Sequence, residues 1–272
     1  MGFVTGVVTQ NVDSFHSLAH GDLPTLELHG YLRATVCMNC REEFPRHVFQ
    51  DELARLNPAW ATFLEEAIAT GVLDTHGPAR DSTNRLRTNP DGDVDLPDAP
   101  YATFRYPPCP RCLAESPRLA RSQGLTLEVD QDGAWKPGSN AGILKPAVVM
   151  FGENIAPRVK MAAEEVISKA GKLLVLGTSL ATASAWTLAR KAKDRGMPVA
   201  IINIGGVRGE DHFHIGLDNH QTGEKGVRVE MSTDMLLPAI VEQLTAASTS
   251  TSRDGAIHVR DGSTTVYNDV FS

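Results

Sequence analysis

The sequence predicts an α/β fold: a Rossmann-like parallel sheet domain carrying a small inserted zinc-binding domain. Three observations point there. Short β-branched or aromatic runs at Val4 to Thr9, Val148 to Phe151, Lys172 to Leu180 and Val199 to Gly205 end in polar or small residues. Buried parallel strands do this where they open on a ligand crevice. Stretches of helical spacing follow several of these runs, which is the strand–helix alternation of a doubly wound sheet. The chain's four cysteines fall as two C-x2-C pairs, Cys37 with Cys40 and Cys109 with Cys112.

In chain order, Val4 to Thr9 is the first strand. The interval from 37 to about 143 then breaks the alternation. It holds a helix predicted over Asp51 to Thr70, a loop rich in Pro, Gly and Asp from Gly77 to Pro100, the second cysteine pair, and a hairpin signal at Asp132-Gly133. Val148 to Phe151 resumes the sheet. Ala156 to Gly171 reads as a helix, with Pro157 near its start and Gly171 just past its end. After the strand in "KLLVLGTSL", the segment "ATASAWTLARKAKDRG" places Trp186, Leu188, Ala189 and Ala192 near helical spacing and closes in Lys and Arg before Gly196. "VAIINIG" and "VRVEM" are the next strands, and "STDMLLPAIVEQL" is a last helix capped by Ser232 or Thr233. Residues 1–36 and 144–246 therefore form the sheet domain, 37–143 the insert, and 247–272 a flexible tail with a linker-like composition.

The 272 residues are 42% hydrophobic and 22% charged, as in a globular protein able to bury a sizeable core. A net charge of -7 provides no global basic field for nucleic acid or anionic lipid. No apolar run approaches the roughly 18 residues of a membrane span. The opening "MGFVTGVVTQ" has neither a secretory signal nor an Arg-rich presequence pattern, and Gly6 stands where myristoylation wants Ser or Thr.

Two C-x2-C pairs in a chain without a secretory signal read first as one tetrahedral zinc site, each pair supplying two thiolates. Four unrelated thiols or disulfides are the alternatives. The gap between the pairs is several times the roughly 15–20 residues of a zinc ribbon, so the intervening chain is expected to loop out. Four thiolates leave no open position for water, which makes such a zinc structural. A second cluster of chemistry stands at the start of the chain, where the first strand ends in Thr9, Gln10, Asn11 and Asp13, polar side chains able to grip a ligand, with the pair His29-Gly30 soon after.

"TQNVDSFH" (Thr9 to His16), "LHG" (Leu28 to Gly30), the cysteine pairs, "LKPAVVMFGE" (Leu144 to Glu153), "GTSL" (Gly177 to Leu180), "IN" (Ile202, Asn203) and "TDMLLPAIVEQL" follow one another in the order of a known family. Over roughly residues 4 to 245 the sequence resembles a sirtuin, an NAD-dependent protein deacylase. "NPAW", "NPDGDVDLPD" and "LKPAVVMFGENI" are similar to the class II branch, with its mitochondrial lipoamidase, ADP-ribosyltransferase and deacylase activities. The resemblance implies that NAD is consumed as a co-substrate: the acyl group of a modified lysine passes to ADP-ribose and nicotinamide is released. His29 maps to the general base for the ribose hydroxyls, a role that suits an imidazole with an ordinary pKa near 6.5. Gln10, Asn11 and Asp13 map to the ribose and nicotinamide end of NAD. Gly177, Thr178 and Ser179 map to its phosphates, where small residues let backbone and a helix N-terminus approach. Asn203 maps to the adenosine ribose and Asp234 to the adenine edge. Val149, Met150, Phe151 and Gly152 map to an open strand edge that binds the acyl-lysine protein or peptide by β-augmentation. Cys37, Cys40, Cys109 and Cys112 map to one structural zinc. The branch implies a mitochondrial matrix location.

The sequence departs from the family pattern in three places. Sirtuins open with a strand leading into a Gly-Ala-Gly turn and a loop of the Ile-Pro-Asp-Phe-Arg type; "MGFVTGVVTQ" enters at a later strand, so the expected sheet domain is N-terminally truncated. Ser14 stands where Gly is usual after "TQNVD", and Ser184 where Pro is expected after "GTSL". A second functional reading follows: a catalytically impaired sirtuin that keeps the zinc module and binds peptide or protein without turnover. A third, a zinc protein on nucleic acid, is disfavoured by the charge.

Overall fold

The computed structural model describes residues 4–70, 103–214 and 223–251, the last five by their backbone alone. The chain divides into two compact units, Met1–His29 with Val149–Ser272, and Gly30–Val148. The first boundary therefore lies between His29 and Gly30, several residues before the first cysteine pair.

In the first unit, β1 (Val7–Thr9) pairs in parallel with β2 (Thr25–Glu27), while β6 (Leu173–Leu176), β7 (Val199–Ile202) and β8 (Gly226–Val229) form a second parallel sheet in the order β6-β7-β8. Two sheets stand where one was expected. Among the described strands β1 pairs only with β2 and β6 only with β7. The helices α6 (Pro157–Lys169) and α7 (Ala183–Asp194) form where their apolar spacing placed them. They bury Ala162, Ala163, Ile167, Leu188 and Ala192 against Leu26, Leu28 and Met197. A second cluster gathers Val175, Val199, Ile201 and the fully buried Phe213. The hydrophobic residues alternate along one stripe of each helix, so burial of that stripe, more than intrinsic propensity, holds them helical.

The last helix, α9 (Thr233–Thr251), runs five residues into the segment read as a tail; residues beyond 251 lie outside the description. Its Pro238 sits in the second turn, early in the helix, where the ladder bond lost to the missing N–H is close to the free first-turn donors. The helices α1 (Phe15–Ala19) and α8 (Glu210–His214), and strand β2, carried no sequence signal strong enough to be read.

The second unit is built on an antiparallel sheet of order β4-β3-β5, from β3 (Gly30–Cys37), β4 (Glu43–Pro45) and β5 (Leu144–Val148). This corrects the sequence reading twice. The strand expected over Val148 to Phe151 ends at Val148, and it pairs antiparallel with β3 instead of joining the parallel sheet. The reason is the Cys37↔Leu144 and Gly30↔Val148 register, which needs a Cα without a side chain at Gly30. There φ is +77° and a Cβ would lie 2.1 Å from the Ala147 carbonyl oxygen.

The helix expected over Asp51 to Thr70 is two helices, α2 (Arg46–Leu56) and α3 (Pro58–Ala69). Pro58 disfavours helical backbone at Asn57, which sits at φ −132° and ψ 63°. The buried Asn57 amide secures the break: it donates to the Leu53 carbonyl at 2.8 Å and accepts from the Arg105 N–H at 2.6 Å. The hairpin signal at Asp132-Gly133 forms a turn closed by an isolated Val129–Trp135 bridge, with Gly133 at φ +85°. The short helix α4 (Pro110–Ala114) is capped by Cys109 and carries Cys112, and α5 (Ser116–Gln123) follows it. The loop expected over Gly77 to Pro100 lies outside the described residues. No helix among the described residues is long and apolar enough to cross a membrane.

Candidate active site and metal centre

In the first unit the polar candidates gather at the carboxyl ends of parallel strands, where α/β sheets bind ligands. Gln10 follows β1, Gly177 to Ser179 follow β6, and Asn203 follows β7. Side chains tie two of these ends together: Gln10 Nε2 donates to Thr178 Oγ1 at 2.8 Å, and the Gln10 Oε1 accepts from Thr182 Oγ1 at 2.9 Å. Thr178 Oγ1 also accepts from the Leu180 N–H at 3.1 Å, which folds the "GTSL" turn back on itself with Leu180 at φ +53°. Gly177, at φ +57°, has open space where a Cβ would project, so its backbone presents a bare face at the end of β6.

His29 follows β2 and its Leu28 N–H is bonded to the Thr9 carbonyl at 2.9 Å, so the β1–β2 pairing places the imidazole beside the Gln10 backbone. Its Nε2 lies 2.9 Å from Ser184 Oγ at the start of α7. Burial lowers the His29 pKa below its ordinary 6.5, and a hydrogen bond with the Gln10 backbone partly opposes this. The neutral imidazole is therefore the resting form at neutral pH, as a general base requires.

The other candidates stand differently. Asp13 accepts from the Phe15 N–H at 3.0 Å and so caps α1; it is exposed, as is Asn11, whose N–H is bonded to Thr9 Oγ1 at 3.1 Å. Ser14, in the position where glycine was expected, is buried at φ +64°. Asn203 is buried and turns its amide onto its own loop, donating to the carbonyls of Ile204 at 3.0 Å and Gly205 at 3.3 Å. Arg228 on β8 fastens that loop further, donating to the carbonyls of Asn203 at 2.9 Å and Gly205 at 2.6 Å while pairing with Glu210 at 2.7 Å. Asp234 accepts from Ser232 Oγ at the start of α9; that hydroxyl, with the first N–H groups of the helix, holds its carboxyl below the usual range.

Val149 to Gly152 do not form the strand edge that the sequence suggested. The Val149 N–H is already bonded to the His29 carbonyl at 2.9 Å, and Met150 to Glu153 close a turn in which the Met150 N–H donates to the Glu153 carboxylate and the Glu153 N–H to the Met150 carbonyl, both at 2.9 Å. Gly152 takes φ +87° in that turn, and Phe151 stands 91% exposed at its tip.

In the second unit the four cysteine sulfurs lie within 4.8 Å of one another. Cys37 Sγ is 3.6 Å from Cys112 Sγ, and Cys40 Sγ is 3.7 Å from Cys109 Sγ. Ligands about 2.3 Å from a central zinc stand at the corners of a tetrahedron with edges of about 3.8 Å, so the cluster fits that ion. Backbone N–H groups of Asn39 and Cys112 point at the sulfurs of Cys37 and Cys109, both at 3.4 Å, in the manner that stabilises thiolate. A segment far along the chain brings the two pairs together. The Met38 N–H donates to the Ile143 carbonyl at 2.9 Å, the Cys109 N–H to the Gly142 carbonyl at 2.8 Å, and the Gly142 N–H to the Asn39 side chain at 2.8 Å.

Burial pushes the Cys109 thiol up to about 11 and Cys112 higher still. Burial acts the same way on Cys37, but the N–H groups of Cys40 and Asn39 together with the Cys112 and Cys109 thiols outweigh it and bring that thiol below its ordinary value. A cation at the centre would neutralise the buried thiolates and so displace these tightly held protons.

Ser184, Thr182 and Arg228 were not read from the sequence as functional. The available signal was the departure from proline at 184, which gave a difference without a role.

Comparison with known proteins identifies the family. The model of the Sir2 family matches residues 2–184. NAD-dependent protein deacylase SRT2 of Arabidopsis thaliana is 32% identical over 240 residues, covering 88% of this chain and 54% of the relative. NAD-dependent protein deacetylase 1 of Streptomyces coelicolor is 36% identical over 210 residues, covering 77% and 53%. The human mitochondrial NAD-dependent protein lipoamidase sirtuin-4 is 30% identical over 211 residues, covering 78% and 51%. The chain thus spans about half the length of these curated relatives. Among solved structures, Sir2Tm bound to a propionylated peptide superposes with a TM-score of 0.50 at 16% identity, over 90% of this chain and 65% of that one, an agreement in fold.

Proposed function

Because the chain belongs to the Sir2 family, we propose that it acts as an NAD-dependent protein-lysine deacylase, of deacetylase or lipoamidase type. NAD supplies the ribose that receives the acyl group, with nicotinamide as the leaving group. The observation that carries this reading is the neutral, half-buried His29 imidazole, joined through Ser184 and Thr182 to the Gln10 amide and through that amide to Thr178. A base and a set of polar strand ends are thereby held on one framework.

In this reading His29 Nε2 takes a proton from a ribose hydroxyl. Gln10, Asn11 and Asp13 face the ribose and nicotinamide end; the Gly177 to Ser179 turn and the N-terminus of α7 face the phosphates. Asn203 serves the adenosine end through the loop that it and Arg228 fix. Asp234 serves the adenine edge through backbone, since its carboxylate already caps α9. Val149 to Gly152 receive the acyl-lysine peptide, which requires the Met150–Glu153 turn to open. The cysteine cluster holds zinc as a structural ion, with all four positions filled by protein. The similarity to sirtuin-4 supports a mitochondrial location, which fractionation of a tagged protein tests.

Mass spectrometry of the products from NAD and acetyl-, longer-acyl- or lipoyl-lysine peptides tests the proposal. Acylated ADP-ribose formed in step with deacylated peptide is the expected result. Peptide bound by the folded, zinc-loaded chain with no such product would favour the non-catalytic binding reading.

A further inference from the structure

The hydroxyls around His29 form an ordered series whose donors and acceptors can be assigned. Gln10 turns its amide nitrogen to Thr178 Oγ1 at 2.8 Å, which leaves Oε1 as the end that faces Thr182. The Thr182 proton is thereby committed to Gln10 Oε1 at 2.9 Å, and Thr182 can present only lone pairs to Ser184 Oγ, 3.4 Å away. The single Ser184 proton thus has two acceptors within reach: His29 Nε2 at 2.9 Å and Thr182 Oγ1 at 3.4 Å.

We infer that Ser184 is a positioning residue for His29: held by Thr182 and Gln10, its hydroxyl keeps Nε2 as the proton-accepting nitrogen and stabilises the ring once it is protonated. With a neutral ring, Ser184 donates to the Nε2 lone pair, and the opposite ring edge donates to the Gln10 backbone. For Nε2 to take a proton, the serine proton first turns to Thr182 Oγ1 and frees the Nε2 lone pair; the new N–H then donates to Ser184 Oγ. No proton leaves the hydroxyl; its orientation alone changes. The second arrangement contains a charge-assisted bond, roughly twice as strong as the neutral one. Ser184 therefore favours the imidazolium and offsets part of the burial that disfavours it. Its place at the start of α7, beside the buried Ala185, fixes where the hydroxyl stands. A proline at 184 has no hydroxyl and could do none of this.

The role in the reaction rests on His29 as general base; the pairing of the two side chains does not. The groups acting on the ring are the Ser184 hydroxyl from α7 and the Gln10 backbone after β1, and neither ionises near neutral pH. A change in His29 titration on removing the hydroxyl is thus assignable to it.

The test is an NMR titration of the His29 ring nitrogens in the full chain, with the signals assigned by His29→Gln. Alongside it, the pH dependence of kcat/KM is measured for the parent protein, Ser184→Ala and Ser184→Thr. Ser184→Ala is expected to lower the His29 pKa by about 0.5–1 unit, to move the acid limb of kcat/KM down by the same amount, and to loosen the preference for one ring tautomer. Ser184→Thr restores both. Thr182→Val, which removes only the second acceptor, produces a smaller shift in the same direction and serves if Ser184→Ala does not fold. An unchanged or raised His29 pKa in folded Ser184→Ala would overturn the inference even with His29→Gln inactive. Full activity in His29→Gln would instead remove the catalytic role, whatever the titration shows.

Discussion

Burial lowers the pKa of His29 and the Gln10 backbone opposes it, with burial the larger effect. The ring is therefore more than half neutral at pH 6.5, the ordinary value for histidine. If the neutral ring is the working form, kcat/KM falls toward acid through a limb centred below 6.5 and levels off on the alkaline side of it. A pH profile with its acid limb centred above 6.5 would mean that another group controls the rate. At this scale the sequence revealed residue types well and side-chain commitments poorly. The four cysteines could be singled out because metal ligation is tied to spacing, and His29 through the family resemblance of the motifs around it. Asn203 is bonded to its own loop and Asp234 to Ser232 at the start of α9, local contacts that residue type alone does not announce; that Ser184 reaches His29 across 155 positions of chain depends on tertiary placement, which no local pattern encodes.

Between elements, the second unit is held by two small residues that permit no larger or simpler side chain. At Gly30 a Cβ would meet the Ala147 carbonyl oxygen at 2.1 Å, with φ in the left-handed region. Gly30→Ala is expected to cost about 3 kcal/mol or to shift the β3–β5 register; denaturant unfolding that moved by less than about 1 kcal/mol would contradict the close approach. Asn57 fills the break between α2 and α3 and accepts from the Arg105 N–H while donating to Leu53. Asn57→Ala removes the acceptor of the part-buried Arg105 N–H, while the Leu53 carbonyl keeps its bond from the residue-57 N–H, and should cost about 1–2 kcal/mol in the same measurement, whereas a neutral result would mean that water takes its place.

The strong periodic elements, α6 and α7, were legible because one apolar stripe decides them. The α2–α3 break was hidden in a continuous helical pattern, although Pro58 announced it locally. β3 was missed because its eight residues carry no clean alternation, and β5 was assigned to the wrong sheet because a short apolar run looks the same in either.

Across the whole molecule, the cysteine cluster belongs to one unit and the polar strand ends to the other. Cys37, Cys109 and Cys112 are buried with Leu119, Leu127, Ala141 and Leu144 in the core of the Gly30–Val148 unit, with Cys40 half-buried against them, so metal and fold are coupled there. One zinc per chain is expected by elemental analysis. A strong chelator, or Cys109→Ser, should abolish the cooperative unfolding of that unit and leave the transition of the other unit in place. Retention of both transitions after complete metal removal would contradict a structural role. The sequence carried the alternation of the α/β unit and the existence of an insert. It did not carry the two-sheet arrangement, nor the boundary at Gly30, which goes with the β3–β5 pairing between residues more than 100 positions apart.

The central claim is that this chain consumes NAD in step with deacylation, with His29 as the base. Its most direct test is nicotinamide release by the zinc-loaded protein with NAD, with and without an acyl-lysine peptide, beside a folded His29→Ala control. Release that requires the peptide and falls at least about 100-fold in His29→Ala is the expected result. Release that is equal in the two proteins would contradict the assignment of His29, and no release from folded, zinc-loaded protein would contradict turnover by this chain.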